Sequence, residues 1–306
     1  MAGRLFKRNV NVLLRAAIAP PAYESAFSAF FQYKHEATVE ITDLRVQFSI
    51  EKQLGKDPNT CTMTITNLNQ QSRAFTQTKP LHVIVSAGYD GELHELFRGD
   101  VRYVQSARVS PDWETTFELG DGDRAFRHAY LSRSYPAGAS ARTVVLDLVK
   151  AMGLTASPWL SEATELKATY VSGISVHGRC AAELTRILAP YKLTWSIQNG
   201  TLSVLKDGDP APGAALPVSE QFGLVDVPTF APPEVQSKTA KKKKSALPTL
   251  SLKTLLYPQI TPGGRIQVTS QAANGTFVVE RVTHQGDTHG DEWTTEIECK
   301  PGVGRG

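Results

Sequence analysis

The stretch LYPQITPGGRIQVTSQAANGTFVVERVTHQGDTHGDEWTTEIE, residues 256–298, decides the fold. At its end Trp293, Thr295, Ile297 and Cys299 fall on one side, and Thr294, Glu296, Glu298 and Lys300 on the other. Successive side chains of a strand point to opposite faces, so this period of two means a half-buried antiparallel strand and not a helix. Two strands precede it, over 264–270, with Ile266 and Val268 on one face, and over 276–285. Between them Asn274-Gly275 predicts a type I′ hairpin turn, because both central positions of that turn need φ > 0. A loop rich in Gly and Asp (Gly286, Asp287, Gly290, Asp291) joins the second strand to the third.

The same alternation recurs near the start. Val46, Phe48 and Ile50 alternate with polar neighbours, as do Cys61, Met63 and Ile65, with a Gly/Pro/Asn turn cluster between the two runs. Further strands are expected over 81–87, 96–103 and 115–119, with a turn at 88–91. Short strands spaced by turns indicate a small barrel or sandwich. Residues 126–206 differ in character. Ser140 can cap a helix whose face is Val144, Val145, Leu148, Val149 and Met152, with Gly153 placed to end it. A second helix is expected over 178–189, stopped by Pro190, and then a hairpin turning at Asn199-Gly200. Residues 206–250 are rich in Pro, Gly and Ala, carry Lys241 to Lys244, and look strand-like only over 222–227.

The fold class expected is therefore mainly β with an α+β middle domain: two β-barrel-like domains plus a small helix/hairpin domain. The division runs 1–125 (β-barrel-like), 126–206 (α+β), 207–250 (Pro/Lys-rich linker or insertion) and 251–306 (C-terminal β). A chain of 306 residues has ample length for separate cores. Its net charge of +3 lacks the basic excess of a dedicated nucleic-acid binder. Three widely spaced cysteines, Cys61, Cys180 and Cys299, suit buried thiols better than a disulfide framework. No apolar run reaches the roughly 18–20 residues that span a bilayer, so no membrane partner is expected. At the N-terminus Arg15 interrupts the apolar stretch, which favours an irregular arm or a first strand over an export signal.

The order of landmarks resembles a known family. In the C-terminal stretch these are Leu255-Leu256-Tyr257-Pro258, Pro262-Gly263, Asn274-Gly275 before Phe277, Val282-x-His284-x-Gly286-Asp287, and Trp293 leading alternating Thr and Glu. Nearer the start, Phe48-x-Ile50-x-Lys52 leads through Pro58-Asn59 to Thr64-Ile65-x-Asn67-Leu68. Ala87-Gly88-Tyr89 and Leu96-Phe97-x-Gly99-Asp100-Val101 follow. Between the two lies Gly178-Arg179-x-Ala181-x-Glu183-Leu184, then Leu193-Thr194-Trp195-Ser196. This succession, over roughly residues 40–300, is similar to the baseplate hub proteins of contractile-tailed phages, the tube-to-spike adaptors of late control protein D type. The Pro/Lys-rich segment and the N-terminal arm depart from it.

The resemblance implies a structural, non-enzymatic hub in the tail baseplate of a virion, assembled in the host cytoplasm. A homotrimer would form a ring, with the tail tube or a distal tube protein above and the central spike below. Baseplate wedge proteins and the tape measure protein would be neighbours, and DNA would pass through the lumen without sequence-specific binding. Two alternatives remain at this level: a tail-tip cell-wall hydrolase carrying hub-like domains, and the hub of a phage-tail-like injection machine.

No catalytic, cofactor-binding or metal residues are assigned from the sequence, and no cofactor is expected. His284, Asp287, His289 and Asp291 are the densest cluster of metal-type ligands, but they lack the i, i+4 spacing of a helical zinc site and read as a polar hairpin loop. Asp121-x-Asp123 lacks the glycine and terminal Glu of a calcium loop and reads as a turn. Glu183 is a lone helical acid without a surrounding motif, and a glycosidase needs a carboxylate pair. Lys241 to Lys244 lacks interleaved aromatics and reads as a solvated loop tip. Trp113, Trp159, Trp195 and Trp293 are read as packing residues.

Overall fold

The computed structural model describes residues 7–17, 35–55, 57–77, 81–206, 209–231 and 248–302. The first part holds β1 (Arg8–Ala17), β2 (His35–Ile41), β3 (Val46–Gln53), β4 (Thr60–Thr66), α1 (Gln70–Thr76), β5 (Leu81–Tyr89), β6 (Glu92–Val109) and β7 (Asp112–Gly120). Then come α2 (Asp123–His128), β8 (Tyr130–Tyr135), α3 (Ala141–Ala151), β9 (Thr155–Ala156), α4 (Pro158–Glu162), β10 (Ile174–Arg179), α5 (Cys180–Leu188), β11 (Leu193–Gln198) and β12 (Thr201–Lys206). The last part holds β13 (Leu216–Ser219), β14 (Thr229–Ala231), β15 (Thr249–Leu255), β16 (Arg265–Thr269), β17 (Asn274–Asp287) and β18 (Trp293–Pro301). The chain is mainly β, with its helices confined to small parts.

One 13-stranded sheet carries both ends of the chain, in the order β14-β15-β18-β17-β3-β4-β7-β6-β5-β1-β2, with β16 beside β17 and β13 beside β16. The long strand β17 joins the two halves. Its first residues pair with β16, and its last seven pair antiparallel with β3, from Arg281 opposite Gln53 to Asp287 opposite Gln47. Alternation sets which side is buried: Val10, Val12, Leu14 and Ala16 on β1, Val46, Phe48 and Ile50 on β3, and Cys61, Met63 and Ile65 on β4 all point into one core. That core also takes in Leu256 and Trp293 from the far end of the sequence. A second core lies under α3, α5 and the β11–β12 hairpin, and a third among β13 and β15 to β18.

Local sequence explains the helices. Ser140 caps α3 by accepting the Thr143 N–H at 3.2 Å, and Gly153 ends it at φ 68°. Val144, Val145, Leu148 and Val149 form its buried face. Asn199 and Gly200 (φ 51° and 73°) make the tight β11–β12 turn that their sequence demands.

Three expectations need correction. Asn274-Gly275 is not the turn: both residues lie in β17, opposite Thr269 and Val268. The loop is Ser270 to Ala273, and the Asn274 side chain closes it by donating to the Ser270 carbonyl at 2.8 Å and accepting the Ser270 N–H at 3.3 Å. A side-chain amide does here what the turn backbone was expected to do. Residues 222–227 are not a strand. Glu220–Phe222 is a 3-10 turn followed by Gly223 at φ 85°, and the strands lie on either side. Residues 209–231, within the segment expected as a linker or insertion and expected to be strand-like only over 222–227, contribute β13 and β14 to the sheet. The Lys241 to Lys244 run lies outside the described residues.

Candidate assembly surface

The residues that drew attention as possible chemistry are engaged in structure. His284 is fully buried on β17, its Nδ1 2.9 Å from Thr295 Oγ1, and burial pushes its pKa down to about 3, so it is neutral. Asp287 faces elsewhere. Arg45 donates to both of its carboxylate oxygens, at 3.1 and 2.6 Å, and this contact holds its pKa at about 2. His289 pairs locally with Thr288 Oγ1 at 2.9 Å. Among the described residues no three His, Cys, Asp or Glu side chains converge as a metal site. Glu183 is bound to Arg186 one helical turn away. Cys61, Cys180 and Cys299 are free and buried, and burial pushes each thiol well up from its ordinary range.

Asp121 and Asp123 separate into two roles. Asp123 holds Arg102 at 2.7 Å and Arg127 at 3.0 Å. Asp121 is fully buried where the β11–β12 hairpin meets the large sheet. It accepts the backbone N–H groups of Asn199 at 2.6 Å and Gly200 at 2.9 Å. Asn59, also buried, donates to the Ile197 carbonyl at 2.9 Å and to Gln198 Oε1 at 3.0 Å. Lys52 completes the cluster from β3: 1% exposed, it donates to Asn199 Oδ1 at 2.8 Å. Burial pushes Lys52 down to about 8, against the opposing pull of Asp121. Burial likewise raises Asp121, opposed by its N–H donors and by Lys52. An ionic cluster this enclosed holds only if its hydrogen bonds are met, and here both sides of the junction supply partners. Lys52 and Asn59 sit in the resembling motif, but nothing local in sequence marks them as neighbours of residue 199.

Trp293 makes the second joint. As the first residue of β18 it enters the N-terminal core, edge-on to Phe48 at 5.7 Å and to Tyr89 at 6.4 Å, with the Arg8 guanidinium 5.6 Å from its ring. Gly286, opposite Trp293 on β17, leaves the space. A Cβ there would stand 2.3 Å from Phe48 Cζ. The other tryptophans pack locally: Trp195 donates to Thr185 Oγ1 at 3.1 Å, Trp159 packs on the middle core, and Trp113 lies under Arg73.

Among the described residues the sheet has three strand edges without a partner, at β14, β2 and β13. Among the described residues β14 and β2 end the order of strands, and no strand lies on the outer side of either. Next to the β14 edge, Phe222, Val225, Val227 and Phe230 are exposed, Val227 by 72%. An unpaired edge beside solvent-facing apolar side chains is a template for pairing with another chain.

A family model described as baseplate hub gp41 matches residues 26–299. No curated protein matches the chain. Among solved structures, it is similar to the tail protein from Neisseria meningitidis MC58, at 12% identity, covering 97% of both chains with a TM-score of 0.59. It is also similar to the 43 kDa tail protein of prophage MuSo2 from Shewanella oneidensis, at 9% identity, covering 95% of this chain and 96% of that one, TM-score 0.58. The E. coli c3393 protein, a component of the type VI secretion system, matches at 11% identity over 85% of this chain and 73% of its own, TM-score 0.55. At these identities the likeness is one of fold.

Proposed function

The chain belongs to the baseplate hub gp41 family, whose model it matches over most of its length, and on that premise we propose that it is a ring-forming subunit between tail tube and spike. The observation that carries this is the open sheet: each subunit has a strand edge at β14 and another at β2. Pairing one edge with the other edge of the next copy is a head-to-tail contact, and such contacts close into a ring when the rotation allows. Three copies, each with two β regions, would give six β units around the ring. That arrangement would adapt a six-fold tube above to a three-fold spike below, with the genome passing through the centre.

In this reading the protein is a structural virion component of the tail baseplate and works without catalysis or a cofactor. Its partners are its own copies, the distal tube protein, the spike and the surrounding wedge and tape measure proteins. The buried junctions at Asp121 and at Trp293 support it, because they tie the β regions and the helical part into one subunit that can bear load. Immunogold labelling of the chain on intact and contracted particles tests the proposal. Label at the distal end of the tube in both states is expected; label on the sheath, the head or no particle at all would overturn it.

A further inference from the structure

We propose that the free edge of β13 and the cavity at its start form a docking site for an extended segment of a partner protein, one that carries an aromatic side chain next to a carboxylate. This is a different edge from β14 and β2, and its occupant is independent of how copies of the chain close a ring.

Where the start of β13 meets β16 lies a cavity of about 250 Å3. One side of it is apolar, built from Leu216, Ile260, Ile266 and Val279, the last three buried. A cavity of about 150 Å3 already holds a benzene ring, so this one has room for a phenyl side chain. Backbone hydrogen bonds fix the walls before anything binds. The Ala211 N–H donates to the Gly263 carbonyl at 2.8 Å, and the Val279 N–H to the Gly264 carbonyl at 2.9 Å. On the rim, Gln259 Nε2 lies 2.8 Å from Nε2 of His94, a residue of β6.

Among the described residues one charged side chain lines the cavity, Arg265. Its Nη2 donates to the Gly213 carbonyl, and its Nε meets no acceptor among the described residues. A guanidinium with donors to spare fits a carboxylate, which accepts two N–H groups of the planar fork at once. An apolar hole beside such a group selects an aromatic ring with an acid next to it.

The edge says what carries that pair. Among the described residues β13 pairs with β16 on one side and with nothing on the other. An extended chain laid along such an edge gains main-chain hydrogen bonds, and a pocket beside the edge reads its side chain. β13 is four residues long, Pro217 has no N–H to give, and the Ser219 carbonyl is taken by the Leu224 N–H at 2.9 Å. A long strand, such as the edge of a second copy, finds few partners there. A short segment held chiefly by one anchor side chain fits.

The experiment measures fluorescence anisotropy of three tagged peptides on the full chain: Thr-Val-Thr-Phe-Asp-Thr, the same with Ala for Phe, and the same with Lys for Asp. The first is expected to bind more tightly than either other by about tenfold or more. Arg265→Gln should erase the preference for Asp over Lys and keep that for Phe over Ala. Ala214→Phe, at an exposed position that lines the cavity, should abolish binding of the first peptide. An unchanged Tm in either variant makes its result a property of the site. No binding, equal binding of the three peptides, or affinities that neither variant alters would overturn the proposal. So would phenylacetate binding as tightly as the first peptide, which would make this a small-molecule site. Self-association of the chain that Ala214→Phe abolishes would give the site to a second copy and also overturn it. None of these outcomes bears on the hub reading, which labelling of tails decides.

Discussion

Asp121 accepts the backbone N–H of Asn199 at 2.6 Å, and through that bond the end of β7 grips the turn of a hairpin 78 residues later in the chain. The acceptor is fully buried, its second oxygen takes the Gly200 N–H, and Lys52 binds the Asn199 side chain from the opposite side. Replacing Asp121 by Ala leaves two buried backbone donors without an acceptor and the buried Lys52 without its nearby opposite charge. A loss of about 3 kcal/mol is expected, read as a lower urea midpoint of the full chain. Asp121→Asn, which keeps an acceptor, should lose less.

Lys52 gives this junction a pH signature. Its pKa falls from the ordinary 10.5 to about 8 in the folded chain. Between those values the unfolded chain binds a proton that the folded chain does not, so stability from this group rises with pH over that window. Denaturation measured from pH 7.5 to 10.5 should show that rise in the natural chain and lose it in Lys52→Met.

His284 acts at the other end of the scale. Burial lowers it from 6.5 to about 3, so the folded chain holds it neutral while the unfolded chain protonates it. Its contribution is complete above pH 6.5 and is lost as pH falls toward 3. His284→Gln should flatten the acid limb of the stability curve between pH 6.5 and 4, whatever it does to stability at pH 7. An equally steep acid limb in the variant would show that other groups set it.

Trp293 is expected to be the costliest aromatic to truncate. Trp293→Ala should lose about 4 kcal/mol, since it empties a site shared by Phe48 and Tyr89 and removes the cation-π contact with Arg8. Calorimetry should show a fall in Tm for the whole chain in a single transition, because the residue belongs to a core that both sequence ends build.

These joints also mark the limit of what could be read from sequence. The alternation on β3, β4 and β18 and the capped face of α3 were legible, because each is a local period or cap. So was the turn at Asn199-Gly200. The Asn274-Gly275 turn misled, because a dipeptide signal does not reveal that Asn274 can close a longer loop with its side chain. The merging of the β regions into one sheet was not legible: it depends on β17 meeting β3 across more than two hundred residues of sequence. Nor was the Lys52–Asp121 cluster, whose members lie on β3 and just past the end of β7 and look like ordinary surface charges. The family resemblance came from the order of landmarks along most of the chain, which survives even where single motifs are weak.

The β14 edge should govern assembly and not folding. Val227→Asp with Phe230→Asp places charges on exposed positions, so the Tm of the isolated subunit should move little, while incorporation into tails should be lost. Full incorporation of the double variant, counted by quantitative mass spectrometry of purified tails, would show that this edge is not a contact.

The most direct measurement is a cryo-electron microscopy reconstruction of the tail tip at a resolution that traces strands. The expected result is a closed ring of this chain between tube and spike, three copies around the axis, with the outer side of β14 covered by a neighbouring subunit. A tip in which the chain is absent, or in which the ring closes with β14 and β2 both facing solvent, would contradict the account.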